Sequence, residues 1–183
     1  GTALLFLSFA DLDKVIYVYL VLFGMGLGAL AAGFNSQLMN VMQHFQRYTM
    51  ATRFALAALL TGGIGILVPD AMGAEFEAVH QLFDQDVAIG LLIGVFVAKF
   101  ILALVAIGLG IPGGIIGPVM VIGMFAGAIL AYPLETILGS SEHHDSFVLL
   151  GVAGMLTSVL HAPLAALSAV MELSYAPEIV LPA

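Results

Sequence analysis

Gly108-Leu109-Gly110-Ile111-Pro112-Gly113-Gly114-Ile115-Ile116-Gly117-Pro118 interrupts what would otherwise be one apolar run, with Val87 to Leu109 before it and Pro118 to about Leu130 after it. Proline lacks an N–H and disfavours the α region at the residue before it, so this segment ends one helix and starts another. Non-helical backbone at membrane depth has no water to bond, and it persists only where protein or a wet cavity surrounds it. Pro118 suits the first position of the following helix, where a missing N–H is harmless. The N–H groups of Gly114 to Gly117 are then free. The positive end of the helix dipole, worth roughly half a charge, points the same way. A helix start of this kind holds an anion without any basic side chain, which makes Gly114, Ile115, Ile116, Gly117 and Pro118 the expected anion-binding residues.

The membrane reading follows from composition. Of 183 residues, 62% are hydrophobic and 9% are charged, with a mean hydropathy of +1.15, whereas a soluble domain carries about a quarter charged residues. Four Lys and Arg against a net charge of −8 leave no footprint for nucleic acid. The lack of cysteine excludes disulfides, thiolate metal sites and a cysteine nucleophile. No signal peptide is evident, and residues 1–183 read as a single transmembrane region with no soluble domain.

Charge clusters divide the chain. A first helix is expected from about Val15 into the high 30s or low 40s, followed by a basic turn holding Arg47 and Arg53. Phe54 to Val68 forms a second span. The acidic stretch from Asp70 to Asp86 suits a short interfacial helix. Phe147 to Met171 is uncharged but contains His161-Ala-Pro163, so two helices meet there. With both arginines in one short loop and no basic residue in the acidic loops, the positive-inside bias places the arginine turn in the cytoplasm.

Other features have plainer readings. Gly24-x-x-x-Gly28, Gly90-x-x-x-Gly94 and Gly123-x-x-x-Gly127 have the spacing of close helix packing. Lys99 falls mid-span, where a charge must snorkel, pair or face a wet path; structural pairing is expected, with added positive potential near the anion route as the alternative. Glu172 reads as structural and His161 as a packing residue. His143, His144 and Asp145 read as solvated loop residues, so no metal is expected. Tyr17, Tyr19, Tyr132 and Tyr175 lie near span ends, where interfacial aromatics belong.

Several short blocks together carry a family resemblance. Gly114-Ile-Ile-Gly-Pro118 resembles the G-x-F-x-P anion motif of the CLC chloride channels and chloride/proton antiporters. Gly151-Val-Ala-Gly-Met155, His161-Ala-Pro-Leu164, Met171-Glu172-Leu173 and Glu178-Ile-Val-Leu-Pro182 are similar to that family's later blocks, in order and at matching spacing, and Phe96-Val-Ala-Lys99 resembles an upstream one. The resemblance implies an all-α membrane protein, a CLC-type bundle of tilted and broken helices forming one half of an inverted-repeat transporter. It implies transmembrane transport of chloride or another halide, with the ion held by main-chain N–H groups at the positions matching Ile115 and Ile116. It further implies a homodimer in a lipid bilayer, in a bacterial inner membrane, with no cofactor. Ile116 stands where the family motif has phenylalanine, which changes the apolar wall and leaves backbone ligands intact. The serine, gating-glutamate and proton-coupling blocks of the family have no counterpart, so the sequence looks like the second half of a CLC protomer, needing its first half and its last helix.

Other functions fit less well. No H-E-x-x-H pair, G-x-S-x-G elbow or intramembrane aspartyl pair is present, so an enzyme is not expected. A non-transporting membrane scaffold is the alternative, and it has no use for unpaired N–H groups inside a span. A cation transporter would need acidic or hydroxyl ligands converging near the break.

Overall fold

A computed structural model describes residues 2–68, 89–138 and 144–175, with side chains for 17–68, 89–133 and 144–171. The described residues are helical apart from short turns. Six helices follow one another: α1 (Thr2–Phe45), α2 (Met50–Leu67), α3 (Ile89–Gly108), α4 (Ile116–Leu138), α5 (His144–Leu160) and α6 (Pro163–Tyr175). Among them Tyr17–Phe45, Met50–Leu67, Ile89–Gly108 and Ile116–Pro133 are long and apolar enough to cross a membrane. The acidic segment expected to form an interfacial helix lies outside the described residues, as do His143 and Glu178 to Pro182.

The first helix starts earlier than expected. It runs back to Thr2 because charges such as Asp11, Asp13 and Lys14 end an apolar span without ending a helix, and neither glycine nor proline interrupts residues 2–23. Its buried residues are Phe23, Leu27, Ala31, Phe34 and Leu38, spaced by three or four so that one stripe faces the other helices. The opposite face exposes Val18, Val21, Leu22 and Met25, which suits contact with lipid.

The core is centred on α4 and α5. In α4, Val119, Ile122 and Phe125 are fully or almost fully buried, as are Val148, Val152 and Met155 of α5. Glycine lets the two backbones touch. A Cβ on Gly123 would lie 2.7 Å from the Gly151 carbonyl oxygen, and one on Gly151 would lie 2.8 Å from the Gly127 Cα. The Gly123-x-x-x-Gly127 expectation is therefore met. The other two pairs differ: a Cβ on Gly24, Gly28, Gly90 or Gly94 would meet nothing within 4 Å, so those faces are open within the described residues.

The first helix seats on this pair through Gly154 of α5, where a Cβ would lie 2.6 Å from a Leu27 methyl. Tyr19, expected at the interface, is half-buried: its hydroxyl donates to the Leu130 carbonyl, and its ring meets Phe147 edge-on at 5.8 Å. That carbonyl lies close to Pro133, inside α4, which has no N–H for the Ile129 carbonyl and so opens the helical ladder. Tyr17 and Tyr132 do stay exposed.

Two turns decide how the helices are linked. The α1–α2 turn spans Gln46 to Thr49, and Thr49 caps α2 by accepting from the Thr52 N–H at 3.4 Å. Arg53 lies in the first turn of α2 and not in the loop expected for it, and reaches back to donate to the carbonyls of Tyr48 at 3.2 Å and Gln46 at 3.1 Å. It thus satisfies acceptors left over at the end of α1. At the other turn, α5 ends at Leu160, Pro163 opens α6 as its first residue, and Ala166 donates to the Ala162 carbonyl at 3.1 Å. His161 is corrected from a packing residue to an exposed one with φ 56°.

Candidate anion site at the α3–α4 break

The break is built by how α3 stops. Gly110, at φ 75°, donates to Ile107 O at 3.0 Å, and Ile111 donates to Ala106 O at 3.0 Å. This pair of bonds is the Schellman motif, which satisfies the Ala106 and Ile107 carbonyls in the last turn of α3 and favours glycine at the left-handed position. Pro112 follows and prevents the helix from resuming.

The start of α4 has no such satisfaction. It begins at Ile116, two residues before the expected Pro118, which becomes the third helical residue. Any of the first three positions tolerates proline, because none has an intrahelical acceptor. Gly117 makes this possible: a helical residue before proline clashes through its Cβ, and glycine has none. Ile115 supplies the first helical acceptor, its carbonyl receiving the Val119 N–H at 3.2 Å. The N–H groups of Ile115, Ile116 and Gly117 have no acceptor among the described residues.

These donors sit at the rim of a well-packed helix. Val119 is completely buried, whereas Ile116 is 54% exposed, and a Cβ on Gly113 or Gly114 would meet nothing within 4 Å. Ile115 packs against the core. One side of the site is thus fixed by α4 burial, and the other side has no wall among the described residues.

One neighbour of the break escapes sequence reasoning. A guanidinium nitrogen of Arg53 lies 3.6 Å from where a Gly110 Cβ would stand, so a positive charge rests on the turn that closes α3. A cation there complements the negative end of the α3 dipole. The arginine lies 57 residues away in sequence, and only the tertiary fold joins them. Gly108 packs against the same corner, with a Cβ position 2.5 Å from Val41.

Lys99 is half-buried on α3 and takes part in an interaction. His144 and Asp145 occupy the first turn of α5, where an acidic residue faces the positive helix end. Glu172 lies on α6, and its side chain is outside the described set. A polar cavity of about 510 Å³ lies at the α1–α2 corner, lined by Asn40, Gln43, His44, Arg47 and Tyr48. Asn40, Gln43, His44 and Arg47 recur at three, four and seven residues, a spacing that marks one face of the end of α1.

Membrane-length apolar helices, glycine-mediated contact between α4 and α5, and a proline-guarded helix start with unpaired N–H groups define an integral membrane protein of the broken-helix type. The chain belongs to the voltage gated chloride channel family, which it matches over residues 2–183. It is 28% identical over 178 residues to the H(+)/Cl(−) exchange transporter ClcA of Klebsiella pneumoniae, an alignment covering 92% of this chain and 37% of that relative. The ClcA proteins of Citrobacter koseri and Salmonella agona are 26% and 25% identical over the same shares. The chain thus spans little more than a third of the length of these relatives. No solved structure matches it significantly.

Proposed function

We propose that this chain is the part of a chloride transporter that binds the anion at the start of α4, through the main-chain N–H groups of Ile115 and Ile116 with Gly114, Gly117 and Pro118 shaping the turn. The observation that carries the reading is the row of unpaired N–H groups at the exposed beginning of a helix whose next turn is buried. Each hydrogen bond to a desolvated anion contributes about 1.5 to 3 kcal/mol net. Two such bonds and the helix dipole reach millimolar binding, around −4 kcal/mol. Weak binding of that order suits transport, since an ion must leave as readily as it enters.

The names of the relatives favour exchange of chloride against protons. The remainder of the transport domain supplies the opposing wall of the site, the arginine corner faces the cytoplasm, and the membrane is a bacterial inner membrane. The protein acts as a transporter and not as an enzyme. The open apolar faces of α1 and α6, with Val21, Met25, Leu164 and Met171 exposed, support a homodimer; cross-linking that captures only monomers in lipid overturns that part. The test of function is chloride efflux from liposomes holding the full-length protein. Efflux above that of empty liposomes is the expected result, and its absence favours a non-transporting membrane scaffold.

A further inference from the structure

The corner cavity does not belong to the anion site. Its lining offers five donor groups: the amides of Asn40 and Gln43, the His44 ring, the Arg47 guanidinium and the Tyr48 hydroxyl. None of these side chains makes a hydrogen bond or ion pair among the described residues. Arg53 is occupied with the Gln46 and Tyr48 carbonyls, whereas Arg47 has no partner among the described residues, so its charge is available to a ligand.

We propose that this cavity binds the phosphodiester of an anionic, amine-free phospholipid, of the phosphatidylglycerol type, from the leaflet on the arginine side. A phosphodiester is the shared chemistry of the donors, since a guanidinium and planar amides match its oxygens. Two observations favour a lipid over a free ion. The corner lies where Tyr17–Phe45 ends and Met50–Leu67 begins, two helices long and apolar enough to cross a membrane, which sets it at the level of lipid headgroups. Met39 and Met42 on α1, and Met50 and Phe54 on α2, close in sequence to the lining residues, are exposed, and both helices continue into apolar spans along which an acyl chain can lie.

The headgroup class follows from charge. No Asp or Glu occurs from residue 14 to residue 69, the stretch that supplies every residue lining the cavity. Among the described residues the lining therefore offers no carboxylate to receive the ammonium of choline or ethanolamine. Its own charge is positive and it lies where a basic cluster next to a span meets anionic headgroups.

The test is native mass spectrometry of the intact protein released from vesicles that mix phosphatidylcholine with phosphatidylglycerol. The wild type is expected to retain phosphatidylglycerol in preference to phosphatidylcholine. Arg47→Gln should lower that retention about fivefold, the effect of one basic residue near a membrane surface, and Arg47→Lys should lower it less. Should Arg47→Gln fail to fold, the double variant Asn40→Ala with Gln43→Ala removes neutral donors and should also reduce retention. Equal retention by these variants, or equal retention of phosphatidylcholine, overturns the proposal. Release of the lipid by inorganic phosphate identifies a free-ion site and also overturns it. Retention is read without any chloride flux, so its failure leaves the transport reading untouched.

Discussion

His161, exposed in the turn between α5 and α6, is the one non-glycine residue with a positive φ among those described, at 56°. That conformation costs a residue with a Cβ about 1 to 2 kcal/mol, and histidine tolerates it better than most. Glycine removes the steric penalty and gives back about 0.5 to 1 kcal/mol through the entropy of the unfolded chain. His161→Gly is therefore expected to raise the thermal midpoint slightly in detergent, while His161→Val lowers it, since a branched Cβ is least tolerated there. An unchanged midpoint for both variants contradicts the assigned backbone geometry. Arg53 presents a different residue-scale case. Its two hydrogen bonds to Tyr48 and Gln46 come from one rigid fork that an ammonium cannot reproduce. Because the site is only half-buried, Arg53→Lys should destabilise by about 1 kcal/mol and not by the full value of two charged bonds. Chemical denaturation of the two proteins in the same micelle measures this.

Between elements, the same motif does opposite things depending on its partner. Alanine for glycine inside a helix gains up to about 1 kcal/mol in propensity when there is room. Gly94→Ala, with nothing within 4 Å of the new methyl, is expected to be neutral or mildly stabilising. Gly151→Ala drives a methyl into the backbone of Gly123 and Gly127, and should destabilise by about 1 to 3 kcal/mol through overpacking. If Gly94→Ala instead destabilises the intact protein, another part of the protein or a second copy covers that face. The contrast also shows where sequence reading stops. Proline and glycine punctuation located the breaks after α3 and α5, because those residues constrain their own backbone. A glycine pair states only that close approach is allowed, and the Gly151 that completes the α4 contact follows from the fold alone. Tyr19 does lie near a span end, but its bond to the Leu130 carbonyl was not legible for the same reason, since it joins two helices through space. The backbone donors of the candidate site were legible, because Pro118 and its glycines act locally. Arg53 beside Gly110 was not, because that contact joins α2 to α3 through space.

At the scale of the whole molecule, the α4 start is held by buried Val119, Ile122 and Phe125 on one side and open on the other, so its donors are fixed in place before any ion arrives. In the proposed site, preorganised N–H groups would need no rearrangement on binding, as a weak site that exchanges its ion quickly requires. On that proposal the Ile116 side chain, 54% exposed, contributes only to the apolar wall. Ile116→Ala should therefore change halide affinity by no more than a few-fold, roughly the value of one lost apolar contact. Gly117→Pro strains the turn that holds the two proposed ligands: it forces Ile116, a helical residue with a Cβ, to precede a proline, which drives its backbone out of the α region. Turning the Ile116 N–H away from the ion loses one charge-assisted bond of about 1.5 to 3 kcal/mol and weakens binding by roughly ten- to a hundredfold. Both variants can be made in the full-length protein, reconstituted in liposomes and followed by chloride efflux, with calorimetric bromide titration of the same preparations. Intact bromide binding in Gly117→Pro together with its loss in Ile116→Ala places the ligand on side chains, and the backbone site is then wrong. The reverse pattern, with efflux falling in step with bromide affinity, assigns the transported ion to the amino-terminal end of α4.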